Sequence, residues 1–252
     1  MPEWHRIGVS RRQNPKQMIP ISDDNPARRT PVVTWLIIVL CIATYVWERS
    51  LGQNLSAAIA VLGFVPVSLR HSITASSGFF SYPPRVTIFS SMFLHGGLLH
   101  LGGNMLYLWI FGNNVEDAMG HGRFVVFYLV CGVVAALALA LIDPASRIPM
   151  IGASGAISGV LAGYVLLFPR ARVTVIVPLG IIFYPFALSA IWVVGFWFLM
   201  QLLSAAFSNP HEPGVAWWAH VGGFATGLLL TPFFKSSRFP LLGRPQPGPW
   251  AR

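Results

Sequence analysis

The sequence predicts an all-α membrane protein, a single bundle of six transmembrane helices with both termini on the cytoplasmic side. Three observations carry that expectation. Only 10% of the 252 residues are charged while 54% are hydrophobic, against about a quarter charged in an ordinary soluble domain. Those charges collect in tails and short joins, leaving apolar runs long enough to cross a bilayer. Counted over six crossings, thirteen of the seventeen Lys and Arg residues fall on one side, as the positive-inside rule requires of a cytoplasmic face.

The formal net charge of +9 would suggest nucleic acid in a soluble protein. Here the basic residues flank apolar spans, so topology and anionic lipid headgroups explain them, and no nucleic-acid partner is expected. Cys41 and Cys131 both fall inside apolar spans. Neither a disulfide nor a reactive thiol is expected there.

Residues 1–29 read as a polar, flexible cytoplasmic tail carrying Arg6, Arg11, Arg12, Lys16, Arg28 and Arg29. They hold no early apolar core of the kind a cleavable signal peptide needs. Residues 30–234 form the membrane domain, and residues 235–252 a second basic cytoplasmic tail. The first span covers residues 30–47, just long enough to cross. A long connection follows, with an apolar piece at residues 55–69 broken by Gly63 and Pro66; a loop of this length is expected to dock, here in the outer interface. The second span, residues 95–112, is unusual in holding His95, His100 and Asn104. The third covers residues 123–142 and the fourth, short and glycine-rich, residues 154–168. Residues 173–207 exceed one ordinary span and are interrupted by Pro178, Gly180 and Pro185. They read as one crossing from about residue 186, preceded by an interfacial or broken segment. The last span covers residues 214–234.

With six crossings, spans two, four and six run in the same direction, so their first turns share the outer half of the membrane. His95, His100 and Asn104 lie early in span two and Ser154 opens span four. His220 lies about two turns into span six, roughly 9 Å down at 1.5 Å per residue. The unusual polar groups therefore converge on one side. If residues 173–207 crossed twice, Ser154 and His220 would separate.

Ser154 and His220 are the candidate nucleophile and base, because imidazole can take the hydroxyl proton as serine attacks a carbonyl. Gly155, Gly159 and Gly163 make a bare stripe on span four, and Gly223 and Gly227 share the helix face of His220. Packing one stripe on the other brings the backbones close enough for the serine and histidine to touch. The bland alternative is ordinary small-residue packing, with Ser154 as a helix cap and His220 as a satisfied interior group. His100 and Asn104, four residues apart, share a face and could donate to an oxyanion. A helix N-terminus at Ser154 adds a backbone N–H and a favourable dipole. The alternative for that pair is polar contact between helices. His95 is off their face and is expected to order the loop. No acidic residue adjoins His220, the nearest being Glu212, so a dyad is expected. A metal site from His95, His100 and His220 is disfavoured without an intramembrane carboxylate, and no cofactor is expected. Glu116 and Asp117 read as a helix-end or loop-anchoring pair.

These residues resemble the rhomboid intramembrane serine proteases. The matching stretches are FLHGGLLHLGGNMLYLWIFGNNVED (residues 93–117), GASGAISG (residues 152–159) and AHVGGFATG (residues 219–227). The resemblance implies a six-helix rhomboid bundle with Ser154 as nucleophile and His220 as general base. It also implies Asn104 and His100 as oxyanion-hole groups, with His95, Gly152, Gly155 and Gly223 as structural neighbours of the site. Glu116 matches the acidic residue closing the second helix. Where many members carry Trp-Arg in the first loop, this chain has Val86-Thr87. The implied activity is endopeptidase cleavage of transmembrane substrates near the outer leaflet of a lipid bilayer. The basic charge and the lack of organelle targeting in the sequence fit a bacterial inner membrane. Proline-broken entry into span five, at Pro178 and Pro185, would put substrate access beside that span. A non-catalytic rhomboid-like protein that binds transmembrane helices is the second reading, and a transporter using the polar cluster as a proton path the third.

Overall fold

A computed structural model describes residues 19–70, 82–179, 182–208 and 214–243. Arg6, Arg11, Arg12, Lys16, Gly180, Glu212, Arg244 and Arg252 lie outside the described residues. The elements in chain order are β1 (Ile19–Asp23), α1 (Val32–Ser50), α2 (Leu55–Leu62), α3 (Pro84–Ser90), α4 (Leu98–Met119), α5 (His121–Ile142), α6 (Ser154–Leu167), β2 (Arg172–Leu179), β3 (Ile182–Ser189), α7 (Ala190–Phe207) and α8 (Trp217–Phe234).

The bundle is built around α6, which is buried without interruption from Ala156 to Val165. Its glycines, alanines and serines let neighbouring backbones approach closely, the packing device available where lipid removes the hydrophobic drive between helices. At 14 residues it is about 21 Å long, well short of a hydrocarbon core of about 30 Å. Among the described residues, three of the surrounding helices, α1, α5 and α7, are long and apolar enough to cross a membrane. Their outward faces carry Leu36, Val39, Val126, Leu141, Trp192 and Phe196 exposed, as lipid-facing surfaces do.

Helices α4, α6 and α8 run parallel. Gly155 and Gly159 of α6 meet Gly223 and Gly227 of α8, and further along Gly163 faces Thr231. On the other side Gly152 lies beside His100 and Asn104 at the start of α4, while Tyr164 packs edge-on against Phe111, ring centroids 4.9 Å apart. The first turns of all three helices therefore meet at one end of the bundle. The parallel running expected from the chain's alternation is present.

The opposite end departs from an all-α architecture. Strands β1, β2 and β3 form an antiparallel three-stranded sheet in that order. The stretch expected to be an interfacial or broken lead-in to span five is the β2–β3 hairpin, and α7 begins at Ala190 rather than near residue 186. The signal is the β-branched alternation of β2: Val173 and Val175 are fully buried while Thr174 and Ile176 are half-buried. Pro185 lies in the edge strand β3, where proline is tolerated, and not in a helix. The prolines therefore do not break α7. The amino-terminal tail also ends earlier than expected, because β1 pairs with β2 and Tyr164 Oη donates to Asp23 Oδ2 at 2.5 Å. Asn114 Nδ2 donates to the Asn25 carbonyl, and the Arg28 N–H to Asp117 Oδ2 at 2.8 Å.

Two further boundaries shift. Helix α4 starts at Leu98, after the Gly96-Gly97 pair, which leaves His95 in the preceding loop. Helix α8 starts at Trp217, so His220 lies in its first turn. The long connection is docked: Phe64 and Met150 exchange both backbone hydrogen bonds, at 3.0 and 2.7 Å. The Gly152 N–H donates to the Ser91 carbonyl at 2.8 Å. Val86 and Thr87, where the family's Trp-Arg would fall, lie in α3, with the Thr87 hydroxyl donating to the Pro84 carbonyl. The connection thus braces the strand-like segment that leads into Ser154.

Candidate active site

Ser154 is the first residue of α6, entered from Gly152, whose φ of +121° only glycine adopts without strain. A side chain at 152 is also excluded sterically, since its Cβ would lie 2.7 Å from the His100 imidazole. The Ile157 N–H makes the first bond of the α6 ladder, to Ala153. The N–H groups of Ser154, Gly155 and Ala156 thus precede it, as at any helix start.

The His220 Nε2 lies 2.7 Å from the Ser154 Oγ. That contact follows from the glycine stripes. Neither Gly223 nor Gly227 has room for a Cβ against the carbonyls of Gly155 and Gly159, so α6 and α8 pack backbone to backbone. His220 is buried, its Nδ1 lying 2.7 Å from Gln201 Oε1. The Trp197 ring tilts against its imidazole at 6.1 Å and Trp217 meets it edge-on at 6.0 Å. Both ring nitrogens are engaged. Among the described residues no three histidine, cysteine or carboxylate side chains converge as metal ligands.

His100 and Asn104 share one face of α4 beside Gly152, two residues before Ser154. The Gly96 N–H donates to His100 Nδ1 at 3.4 Å. A neutral imidazole accepting at Nδ1 carries its proton on Nε2, the nitrogen turned toward Gly152. Asn104 is buried, and its Nδ2 has no hydrogen-bond acceptor among the described residues. Both groups therefore stand beside Gly152 at the entry to Ser154, and the Asn104 amide has nothing among those residues to donate to.

His95 belongs to the support. It is buried, its ring Nδ1 is 3.1 Å from the Phe93 carbonyl, and its backbone N–H donates to both carboxylate oxygens of Glu48 at 3.1 and 3.2 Å. Its ring lies edge-on to His100 at 5.2 Å. Glu116 and Asp117 sit at the far end of α4. Glu116 accepts from the Val33 and Thr34 N–H groups and the Thr34 hydroxyl at 2.7–2.9 Å, and lies 2.6 Å from His121 Nδ1. It thus satisfies the orphan donors at the start of α1.

Two residues of this region escaped the sequence reading. Gln201 is a lone amide inside an apolar helix, and Glu48 a lone carboxylate in the last turn of α1. Each was a visible signal, since a polar group buried in an apolar span implies a partner.

Comparison with known proteins identifies the family. The family model for the rhomboid domain matches residues 84–237. The chain is 27% identical over 204 residues to the rhomboid protease GlpG of Klebsiella pneumoniae, covering 78% of this chain and 61% of that protein. It is 34% identical over 143 residues to RHOMBOID-like protein 4 of Arabidopsis thaliana, covering 57% of this chain and 32% of that protein. It is also 34% identical over 97 residues to Rhomboid protein 1, mitochondrial, of Saccharomyces cerevisiae, covering 37% and 28%. The chain thus spans less than two thirds of the length of these relatives. With the rhomboid model matching well over half of its residues, the chain belongs to the rhomboid family.

Proposed function

We propose that this chain is an intramembrane serine endopeptidase working through a Ser154–His220 dyad and an acyl-enzyme. The observation that carries the reading is the 2.7 Å approach of the buried His220, through Nε2, to the Oγ of the half-buried Ser154 in the glycine-lined contact of two apolar helices. Polar pairs in such surroundings are expensive to maintain.

In this mechanism Ser154 Oγ attacks the scissile carbonyl while His220 Nε2 takes the hydroxyl proton. The carbonyl oxygen becomes an oxyanion, to which Asn104 Nδ2–H, His100 Nε2–H and the Ser154 backbone N–H donate. His220 then gives its proton to the leaving amine, and water attacks the acyl-enzyme with the same imidazole as base. The Asn104 donor, which has no acceptor among the described residues, and the tautomer of His100 support that assignment. His95 and Glu48 hold the loop beside His100, and Gly152 keeps the His100 ring against the entry to α6.

The proposed setting is a bilayer crossed six times, with both termini cytoplasmic and the dyad toward the outer leaflet, in a bacterial inner membrane. Residues 30–234 make the protease domain. A transmembrane substrate hides its carbonyls in helical hydrogen bonds, so cleavage favours segments that unwind easily. The test uses proteoliposomes containing a reporter with one transmembrane helix and a helix-destabilising residue. Wild type should cut it, Ser154→Ala and His220→Ala should not, and the product's new terminus should lie within or next to the helix. Binding of the reporter without cleavage by wild type would replace this reading with that of a non-catalytic helix-binding rhomboid.

A further inference from the structure

We infer that Gln201 is the positioning residue of the dyad, fixing the tautomer and rotation of His220 where a triad would use a carboxylate. The inference rests on the dyad reading and deepens it.

Gln201 lies on the buried stripe of α7 with Val194 and Ala205, in the middle of a helix otherwise apolar over this face. A primary amide buried there is costly unless its oxygen and nitrogen are both bonded. They are: Nε2 lies 3.2 Å from the Trp197 carbonyl one turn back, and Oε1 lies 2.7 Å from His220 Nδ1. The first bond decides the second. A carbonyl can only accept, so the atom facing Trp197 is the NH2 and the atom facing His220 is the oxygen; the flipped amide would oppose two acceptors. An amide oxygen can only accept, so His220 carries its proton on Nδ1. Its Nε2 then presents a lone pair to Ser154 Oγ, 2.7 Å away, which is the form a general base needs. Without Gln201 the Nε2–H tautomer, which cannot accept the serine proton, becomes populated. The ring also loses the one hydrogen bond that, among the described residues, it makes besides the serine. The indole of Trp197, one turn earlier on the same face, limits the tilt of the same ring. Helix α7 thereby supplies both the ring contact and the bond that aim the base.

The test combines kinetics and spectroscopy on the full chain in detergent with a soluble fluorogenic peptide. Gln201→Met keeps the side-chain length and removes the acceptor. Its kcat should fall about 10- to 100-fold, toward the lower end of what acid–base catalysis supplies, with KM within about twofold of wild type. Gln201→Glu retains an acceptor oxygen in either protonation state and should recover most of the loss. In 15N-histidine spectra, with the His220 signal assigned by its loss in His220→Ala, wild type should be the Nδ1–H tautomer and Gln201→Met a mixture. An unchanged kcat in Gln201→Met, a failure of Gln201→Glu to recover it, or a wild-type Nε2–H tautomer would each overturn the inference. The spectra stand even for a variant that fails to fold, since they are read on wild type. Absence of hydrolysis by wild type would instead remove the dyad reading itself.

Discussion

Gly223 of α8 lies so close to the carbonyl oxygen of Gly155 in α6 that a methyl group added to it would overlap that oxygen. The same holds for Gly227 against Gly159 one turn on. The serine and the histidine meet because these two backbones do. We predict that Gly223→Ala separates them, lowering stability by about 1–3 kcal/mol as overpacking does and abolishing Ser154 reactivity. Gly195 on α7 has open space where a Cβ would point, with no neighbouring atom within 4 Å. Gly195→Ala should therefore be neutral or stabilising by about 0.5–1 kcal/mol. Thermal unfolding in detergent, run on both variants, checks the contrast.

Asn104 offers a sharper separation of catalysis from folding. Its Nδ2 has no acceptor among the described residues, so removing it should cost the resting protein little. Asn104→Ala should lower kcat about 100-fold or more, as loss of one oxyanion donor does, while the melting temperature stays close to wild type. A variant that loses stability and retains turnover would take Asn104 out of the mechanism.

Glu116 behaves in the opposite way. It receives the Val33 and Thr34 N–H groups and the Thr34 hydroxyl, all from the first turn of α1. Glu116→Ala leaves the part-buried Val33 donor and the two buried Thr34 donors unsatisfied, and we expect a loss of about 2–3 kcal/mol with kcat of the surviving folded fraction unchanged. Active-site titration alongside the melting curve distinguishes the two effects.

The end of the bundle with the sheet carries a pH dependence. Burial pushes the Asp23 carboxyl up to about 6, partly offset by the hydrogen bond from Tyr164 and reinforced by the neighbouring Asp24. A carboxyl raised on docking favours the docked strand while it is protonated. The added stability of β1 is therefore fully present below about pH 4, the ordinary carboxylate range, and lost as the pH rises through about 6. Limited proteolysis between β1 and α1 should accelerate over that interval in wild type. Asp23→Asn should flatten the dependence. A wild-type cleavage rate that stays level across the interval, after correction for the protease's own profile, would contradict the assignment.

How much of this was legible in the sequence depends on the kind of signal. Ser154, His220, His100 and Asn104 stood out because hydroxyl, imidazole and amide groups are rare in apolar runs, and the glycine spacing of four told which faces meet. Gln201 and Glu48 carried the same kind of signal but lacked a spacing to tie them to a partner, since their partners lie 19 and 47 residues away in sequence. The sheet was hidden by its setting. Val173 and Val175 alternate as a half-buried strand should, but they sit in an apolar stretch running on into α7, where helix period and strand period cannot be separated by hydrophobicity alone. The strand Ile19–Asp23 holds only five residues and gains its order from β2 and Tyr164, neither of which is near it in the chain.

The most direct measurement is labelling of the detergent-solubilised protein with a fluorophosphonate serine probe, comparing wild type with Ser154→Ala and His220→Ala. An activated Ser154 predicts labelling of wild type and none in either variant. No labelling of folded wild type, or labelling that survives His220→Ala, would contradict a Ser154–His220 dyad.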